Sequence, residues 1–228
     1  MINIIKTGET MLTLYGNEFS VRSNKVRFVA NALGLAYEYR RIDLRRGEGR
    51  TESYLKLHPA GKVPVLQDDD FVLFESNAII KYLAAKASSD LYPQELSRRL
   101  LVDQWIDFVS FHVAAAVDKV FVNQVAYEIF HLEKDERSLK EGLAWLQRFL
   151  PIVEAQLQKH PFLAGPELSL ADFVLLAALD LAEVSSSSLE PYPKLKTCYE
   201  QLQAEDFYQK CYPSYTQMLQ QLIAKMQG

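Results

Sequence analysis

The sequence GKVPVL at residues 61–66, followed by FVLFES at residues 71–76, decides the fold of the first half of this chain. The intervening residues 68–70 are all aspartate, and a polar turn between β-branched and aromatic residues favours an antiparallel hairpin. Directly afterwards, the apolar residues within 79–83 recur at helical spacing. The stretch therefore predicts a hairpin followed by a helix whose N-terminus opens at Glu75–Ser76.

Pro64 stands at the start of the first of these runs. Proline cannot donate a hydrogen bond to a strand ladder, so it is confined to strand starts, edges and turns. Its position after Val63 suggests a turn-bound cis peptide bond. A cis bond would turn the amide and carbonyl of Val63 outward, where they could pair with an extended, peptide-like ligand as an added strand does.

The residues before the hairpin predict a strand, a helix and a second strand. Residues 11–15 alternate in the manner of a strand, residues 20–33 place apolar side chains on one helical face, and residues 37–44 are again β-prone. Such a βαβ unit almost always has a right-handed crossover. With a short helix-like stretch at residues 53–57, the order becomes βαβ-α-ββα, and this α/β domain ends near Lys86.

The second half of the chain predicts helices only. Residues 87–93 have the small, polar and proline-ended composition of a linker. Residues 94–228 carry helical periodicity without strand signals, which predicts an all-α domain. Pro151 lies inside one of these helices and predicts a kink or a split there. At residues 169–172, SLAD has the spacing of a capping box, which gives its serine and aspartate a structural role.

Two motifs together resemble the glutathione-binding segment of the soluble glutathione transferases. They are HPAGKVPVL at residues 58–66, with histidine where the family usually has asparagine, and ESNAI at residues 75–79. The resemblance implies a thioredoxin-like N-terminal domain at residues 11–86 and an all-helical domain at residues 94–228. It also implies that the first strand begins near Met11, so that residues 1–10 are either a short extension or an upstream start.

The resemblance also implies how glutathione is held. In the family, the backbone of the residue before the cis-proline pairs with the cysteinyl part of glutathione, and an acidic–serine pair holds its γ-glutamyl end. The corresponding residues here are Val63, Pro64, Glu75 and Ser76. A helix N-terminus does offer free N–H groups and a partial positive charge to a carboxylate. From the residues alone, Ser76 could equally serve only as a helix cap.

The segment YGNEFSVRSNKVR at residues 15–27 resembles the serine-using branch of this family. The resemblance implies that Ser20 activates the glutathione thiol, with Ser23 as the second candidate. A hydroxyl at a helix N-terminus can donate to sulfur while the helix dipole favours the thiolate. The competing interpretation is that Ser20 only caps its helix. No cysteine lies in this domain, which disfavours the cysteine-dependent branches.

Further candidates are basic and apolar. Arg50 and Lys62 stand in register with family positions that meet the glycine carboxylate of glutathione, although surface cations are usually just solvated. For the hydrophobic substrate, one helical face of the second domain combines aromatic and aliphatic residues, a pattern that is also common in a protein core. The members of this face are Trp105, Phe108, Val109 and His112.

Composition limits the other classes of function. The chain has 228 residues, with 25 basic and 29 acidic residues and a net charge of −4, which disfavours a nucleic-acid or anionic-membrane surface. The two cysteines and four histidines lack metal-ligand spacing, so no metal is expected. Neither a signal peptide nor a run of about 20 apolar residues is evident. These features favour a cytoplasmic location.

The sequence thus predicts a glutathione transferase that conjugates glutathione, as co-substrate, to a hydrophobic electrophile in detoxification. The resemblance implies a homodimer, in keeping with the general preference for two-fold closure. The alternative is a non-catalytic interaction module of the same fold, such as a stringent-starvation-type regulator or an elongation-factor-associated domain. The joint presence of Ser20, Val63–Pro64 and Glu75–Ser76 favours the enzyme.

Overall fold

The computed structural model describes residues 11–129, 132–185 and 188–227, and the predicted extension at residues 1–10 lies outside them. The first domain is built on a four-stranded sheet of order β2-β1-β3-β4. Strands β1 and β2 are parallel, whereas β3 pairs antiparallel with both β1 and β4. The strands are β1 (Leu12–Gly16), β2 (Tyr37–Arg41), β3 (Val65–Asp68) and β4 (Phe71–Phe74).

Three helices complete this domain and confirm the predicted βαβ-α-ββα order. They are α1 (Val21–Ala32), α2 (Glu52–Leu55) and α3 (Ser76–Lys86). The second strand ends earlier than predicted because Asp43 caps a 3₁₀ turn, accepting hydrogen bonds from the amides of Arg45 and Arg46. Helices α1 and α3 pack against each other, and Val29 and Ile79 are fully buried.

The second domain is all-helical, as predicted. Its long first helix runs without a break through π-helical segments and packs against the helices Glu136–Leu157 and Leu170–Val184. By length and composition, Leu96–Ala126 could cross a membrane, but its packing makes it the central helix of this domain. The elements are α4 (Leu96–Phe108), a π-helical segment (Val109–Ala114), α5 (Ala115–Phe121), a second π-helical segment (Val122–Ala126), α6 (Tyr127–Ile129), α7 (Glu136–Leu157), α8 (Leu170–Val184), α9 (Pro193–Ala204), α10 (Asp206–Gln209) and α11 (Tyr215–Gln227).

The expected split at Pro151 is wrong, because α7 continues through this residue as one helix. A proline inside a helix removes one N–H donor and leaves the carbonyl four residues earlier without its partner. That carbonyl belongs to Gln147, which is exposed. Water can therefore satisfy it, and the helix tolerates the proline.

The capping box at the start of α8 is confirmed. The Asp172 carboxylate accepts hydrogen bonds from the amide of Ser169 at 2.8 Å and from its hydroxyl at 2.9 Å. It also accepts from the amide of Leu163 at 2.8 Å, so it ties the preceding loop to the helix. Burial raises the pKa of this carboxyl to about 6. Asp172 is thus a buried structural residue.

Helix α1 joins the two domains. It packs against α3 in its own domain and against α8 and α10 in the other. Phe28 on α1 stacks on Tyr208 of α10 with ring centroids 5.0 Å apart. In the first turn of α1, Arg22 forms an ion pair with Asp118 of α5 at 2.5 Å. The N-terminus of α1 therefore borders the cleft between the domains.

Candidate active site

Two adjoining cavities lie along the N-termini of α1 and α3. The larger cavity, of about 400 Å³, extends from α1 to the start of β3. The smaller cavity, of about 270 Å³, lies between α1, the start of α3, α5 and α8. The two share Arg22, Glu75 and Ser76 in their walls. Six predicted residues line the larger cavity: Ser20, Lys62, Val63, Pro64, Glu75 and Ser76.

Ser20 caps α1 and also faces the larger cavity. Its Oγ accepts a hydrogen bond from the amide of Ser23 at 3.3 Å. A serine hydroxyl has one donor hydrogen and two acceptor lone pairs, so this cap leaves the hydrogen available. Capping and donation to a ligand are therefore compatible at this residue.

Ser23, the second candidate, does not reach either cavity. It is fully buried, and its Oγ accepts from the amide of Asn17 at 3.3 Å. Tyr15 also points elsewhere, since its hydroxyl donates to Gln67 Oε1 at 3.0 Å. Among the predicted activating groups, the structure brings only Ser20 to the cavity wall.

The peptide bond between Val63 and Pro64 is cis, as the sequence suggested. The hydroxyl of Tyr54 donates to the carbonyl of Lys62 at 2.8 Å and so anchors this segment from behind. Within the described ranges, the amide and carbonyl of Val63 have no backbone partner. Both groups are therefore available to pair with an extended ligand.

The start of α3 differs in detail from a serine-capped helix. Glu75 occupies the cap position with φ 70° and ψ 110°, and its side chain makes no cap hydrogen bond. Ser76 is the first helical residue, so its hydroxyl does not cap the helix. A positive φ at a residue other than glycine is uncommon and tends to occur at functional sites. The helix N-terminus and the Ser76 hydroxyl both face the larger cavity.

The two basic candidates differ in position. Lys62 is exposed at the rim of the larger cavity, whereas Arg50 ends an exposed 3₁₀ turn and does not line that cavity. His58, at the position where the sequence departs from the family pattern, also lines it. Its Nδ1 accepts from the amide of Ala60 at 3.2 Å, and burial lowers the pKa of its ring. His58 therefore holds the turn before the cis bond through its Nδ1.

The predicted hydrophobic-substrate face points away from the cavities. Trp105 and Val109 belong to the core, while the rings of Phe108 and His112 pack on Phe149 of α7 at 6.1 and 4.9 Å. Helical spacing identifies residues that share a face but not the element against which that face packs. The residues of this helix that line the smaller cavity are Ser110, Phe111, Ala114, Val117 and Asp118.

Sequence reasoning also missed Lys25, which lies in the wall of the smaller cavity and is only 5% exposed. Its Nζ donates a hydrogen bond to Oδ1 of Asn77. Burial lowers the pKa of this lysine to about 7, an effect that Arg22 increases and Glu75 opposes. Lys25 lies within the segment at residues 15–27 that resembles the serine-using branch, but a lysine in an amphipathic helix is ordinarily expected at the surface.

These features define what the cleft can do chemically. The unpaired backbone of Val63 and the N-terminus of α3 suit an extended peptide that ends in a carboxylate. A hydroxyl donor stands at the N-terminus of α1, where the helix dipole favours an anion. Over the described ranges, no group of three or more His, Cys, Asp or Glu side chains is placed to hold a metal ion.

Both halves of the chain match known family models. Residues 10–85 match the N-terminal domain of glutathione S-transferase, and residues 105–206 match its C-terminal domain. The chain is 35% identical over 169 residues to glutathione S-transferase F10 of Arabidopsis thaliana, covering 73% of this chain and 78% of the relative. It is 32% identical over 203 residues to the probable glutathione S-transferase GSTF2 of Oryza sativa subsp. japonica, covering 87% and 94%.

A solved structure gives the same result at the level of the fold. The theta class glutathione S-transferase of Xanthomonas axonopodis pv. citri, crystallised with glutathione bound, superposes with a TM-score of 0.80. The two sequences are 30% identical, and the match covers 88% of this chain and 96% of the other.

Proposed function

The chain belongs to the glutathione S-transferase family and is a glutathione transferase, and from this premise we propose that glutathione occupies the larger cavity and reacts through Ser20 with an electrophile in the smaller one. The observation that carries this proposal is the convergence of Ser20, Val63 and Ser76 on one cavity. A non-catalytic module would not need a hydroxyl donor beside the peptide-binding backbone. The chain would thus belong to the serine-using branch of the family.

We propose that glutathione lies extended along the segment before Pro64. The amide and carbonyl of Val63 pair with the cysteinyl part, and Lys62 receives the glycine carboxylate. At the other end, the N-terminus of α3 and the Ser76 hydroxyl bind the γ-glutamyl carboxylate, while Glu75 binds the ammonium group. Arg50 stays outside this contact set because it does not line the cavity.

In the proposed mechanism, Ser20 donates a hydrogen bond to the sulfur and the α1 dipole adds to the stabilisation of the thiolate. Lowering a thiol pKa by two units from its usual ~8.5 requires about 2.7 kcal/mol, within reach of these two effects. The thiolate then attacks an electrophilic carbon and forms the new C–S bond. The displaced electron pair leaves with a leaving group or moves onto an adjoining acceptor.

We propose the smaller cavity as the site of the electrophile. Val21, Ala114 and Val117 give it an apolar lining, and the exposed ring of Phe111 stands at its mouth. Burial of apolar surface contributes about 25 cal/mol per Å², so this lining favours hydrophobic substrates. Arg22, which lines both cavities, is two residues from Ser20 in the chain, so the two cavities adjoin at the start of α1.

We also propose the wider setting of this enzyme. The glutathione-binding domain would comprise residues 11–86, the linker residues 87–93 and the helical domain residues 94–228. The protein would act in the cytoplasm without a metal ion, a nucleic acid or a membrane as partner.

Glutathione at millimolar concentration is expected to raise the melting temperature, since a ligand selective for the folded state must stabilise it. Replacing Ser76 with alanine should reduce this shift and weaken glutathione binding by about tenfold, because one hydrogen bond to a charged group is lost. Calorimetric titration and far-UV dichroism measure both effects. Ser97→Ala, in the exposed first turn of α4, is the matched control. A wild-type protein that shows no shift would contradict the proposed function.

We expect a symmetric homodimer in solution, as a C₂ pair is the commonest form of closed assembly. Sedimentation equilibrium should then give about twice the chain mass of 26.1 kDa at micromolar concentration. A mass equal to that of a single chain over the whole concentration range would show that the protein is a monomer.

A further inference from the structure

Lys25 is a buried amine that forms no ion pair with a carboxylate of the described residues. The residue is 5% exposed, and over the described ranges no carboxylate lies within ion-pair distance of its Nζ. Its partner is neutral: Nζ donates to Asn77 Oδ1, and Asn77 Nδ2 donates in turn to Ser110 Oγ at 3.0 Å. Burying a cation without a counter-charge is costly. A buried lysine whose hydrogen-bond partner is neutral is therefore a candidate for binding an anionic ligand.

Lys25 lies in the part of the cleft next to the start of α3. It lines the smaller cavity together with Glu75 and Ser76, which also border the larger one. Arg22, the neighbouring cation on α1, is already paired with Asp118. Lys62 lines the larger cavity but not the smaller one. Of the two cations in the smaller cavity, Lys25 is therefore the one without a carboxylate within ion-pair distance, among the residues that the structure describes.

The chemistry of glutathione supplies two carboxylates at opposite ends of an extended tripeptide. If its centre pairs with Val63, one end lies by Lys62 and the other by Ser76. We propose that Lys25 is a further glutathione-binding residue, whose ammonium group pairs with the γ-glutamyl carboxylate beside Ser76 and the N-terminus of α3. This inference rests on the proposed function. It adds that the substrate carboxylate supplies the counter-charge for a buried lysine of the protein.

A coupling between glutathione binding and protonation follows. The charged groups around the smaller cavity are Arg22 on α1, Glu75 before α3 and Asp118 on α5, while α8 contributes apolar residues. Burial holds the pKa of Lys25 at about 7 in the free protein, so the amine is largely neutral above that pH. An anionic ligand favours the protonated amine and raises its pKa. Binding should therefore take up a proton, and affinity should fall as pH rises above 7.

The test uses S-methylglutathione, which has no thiol to ionise and so makes no demand on Ser20. Calorimetric titration at about pH 7.5, in two buffers of different ionisation enthalpy, measures the protons exchanged on binding. We expect uptake of up to about one proton and an affinity that weakens about five- to tenfold between about pH 7 and 8.5. An S-methylglutathione analogue without the γ-glutamyl carboxylate should bind more weakly and take up no proton.

Two variants test whether Lys25 is the group that takes up the proton on binding. Lys25→Met should weaken binding of S-methylglutathione by about 30-fold at about pH 6.5 and abolish the uptake, because a bond between charged groups is lost. Lys25→Arg keeps the charge at every pH, so binding should persist without uptake. Lys62→Met is the matched control: it should weaken binding while the uptake of the wild type remains.

The outcomes separate the inference from the proposed function. If the wild type binds S-methylglutathione without proton uptake, or if Lys25→Met binds as well as the wild type, the role of Lys25 is overturned and glutathione binding stands. If the wild type does not bind S-methylglutathione at all, the proposed function fails as well. The proton measurement on the wild type needs no variant, so a misfolded variant would not prevent the decision.

Discussion

Replacing Ser20 with alanine is expected to raise the pKa of enzyme-bound glutathione by about one to two units and to slow conjugation near neutral pH by about 10- to 100-fold. The hydroxyl of Ser20 accepts from the Ser23 amide at 3.3 Å and keeps its hydrogen for the sulfur. A hydrogen bond to a charged acceptor contributes about 1.5–3 kcal/mol, and each pKa unit corresponds to ~1.4 kcal/mol. Thiolate absorbance, titrated against pH, measures the shift directly.

Ser23→Ala is the control for this experiment. Ser23 is fully buried and accepts from the Asn17 amide, so its loss should lower stability by about 1 kcal/mol and leave the thiol pKa where it was. Glutathione affinity should stay within a few-fold in Ser20→Ala, because Val63 and Ser76 carry most of the binding. An unmoved pKa in Ser20→Ala, or a larger shift in Ser23→Ala, would place the chemistry on another group.

The features predicted correctly from sequence are those whose signals are local. The hairpin at residues 65–74 and the start of α3 follow from a polar turn between β-prone runs and a change to helical spacing. The cis bond at Val63–Pro64 could be suggested because proline restricts its own backbone. The capping box depends on a motif of four consecutive residues, with Ser169 first and Asp172 last. Each of these can be read without knowing what packs against the segment.

The features that were missed depend on tertiary packing. Trp105 and Phe108 do share a helical face, but that face meets the core and α7 rather than the cleft. Helical spacing cannot distinguish these two surroundings, and the π-helical segment from Val109 shifts the register of the residues that follow. Lys25 is buried because Asn77 and Ser110 approach it from other elements. No pattern within α1 contains that information.

A cluster of tyrosine hydroxyls around Asp180 is a further tertiary feature, and it connects the last helices to the site. Asp180 on α8 is fully buried and accepts from Tyr199 and Tyr208 at 2.9 Å and from Tyr212 at 2.8 Å. Tyr208 also stacks on Phe28 of α1. The carboxylate thus holds α9, α10 and the turn after α10 against the helix whose N-terminus carries Ser20.

Replacing Asp180 with alanine is expected to lower the free energy of unfolding by about 4 kcal/mol or more, because three hydroxyls lose their buried acceptor at once. Tyr199→Phe should cost less, about 1–2 kcal/mol, since two donors to Asp180 remain. Urea unfolding of the three proteins at about pH 6 measures the difference. Equal losses in the two variants would show that the carboxylate is not the centre of the cluster.

The pH dependence of the same variants gives a second measurement. Burial raises the pKa of Asp180 to about 7, against the opposing effect of the tyrosine hydrogen bonds. Because this pKa lies above the value of ~3.9 for an unfolded aspartate, the resulting stabilisation is complete below about pH 4 and is lost as pH rises through 7. In Asp180→Asn the amide does not titrate, so the stability advantage of the wild type over this variant should shrink between about pH 4 and 7. An advantage that stayed constant over that range would mean that the buried carboxyl is already ionised at about pH 4 and that its tyrosine donors offset the cost of burial.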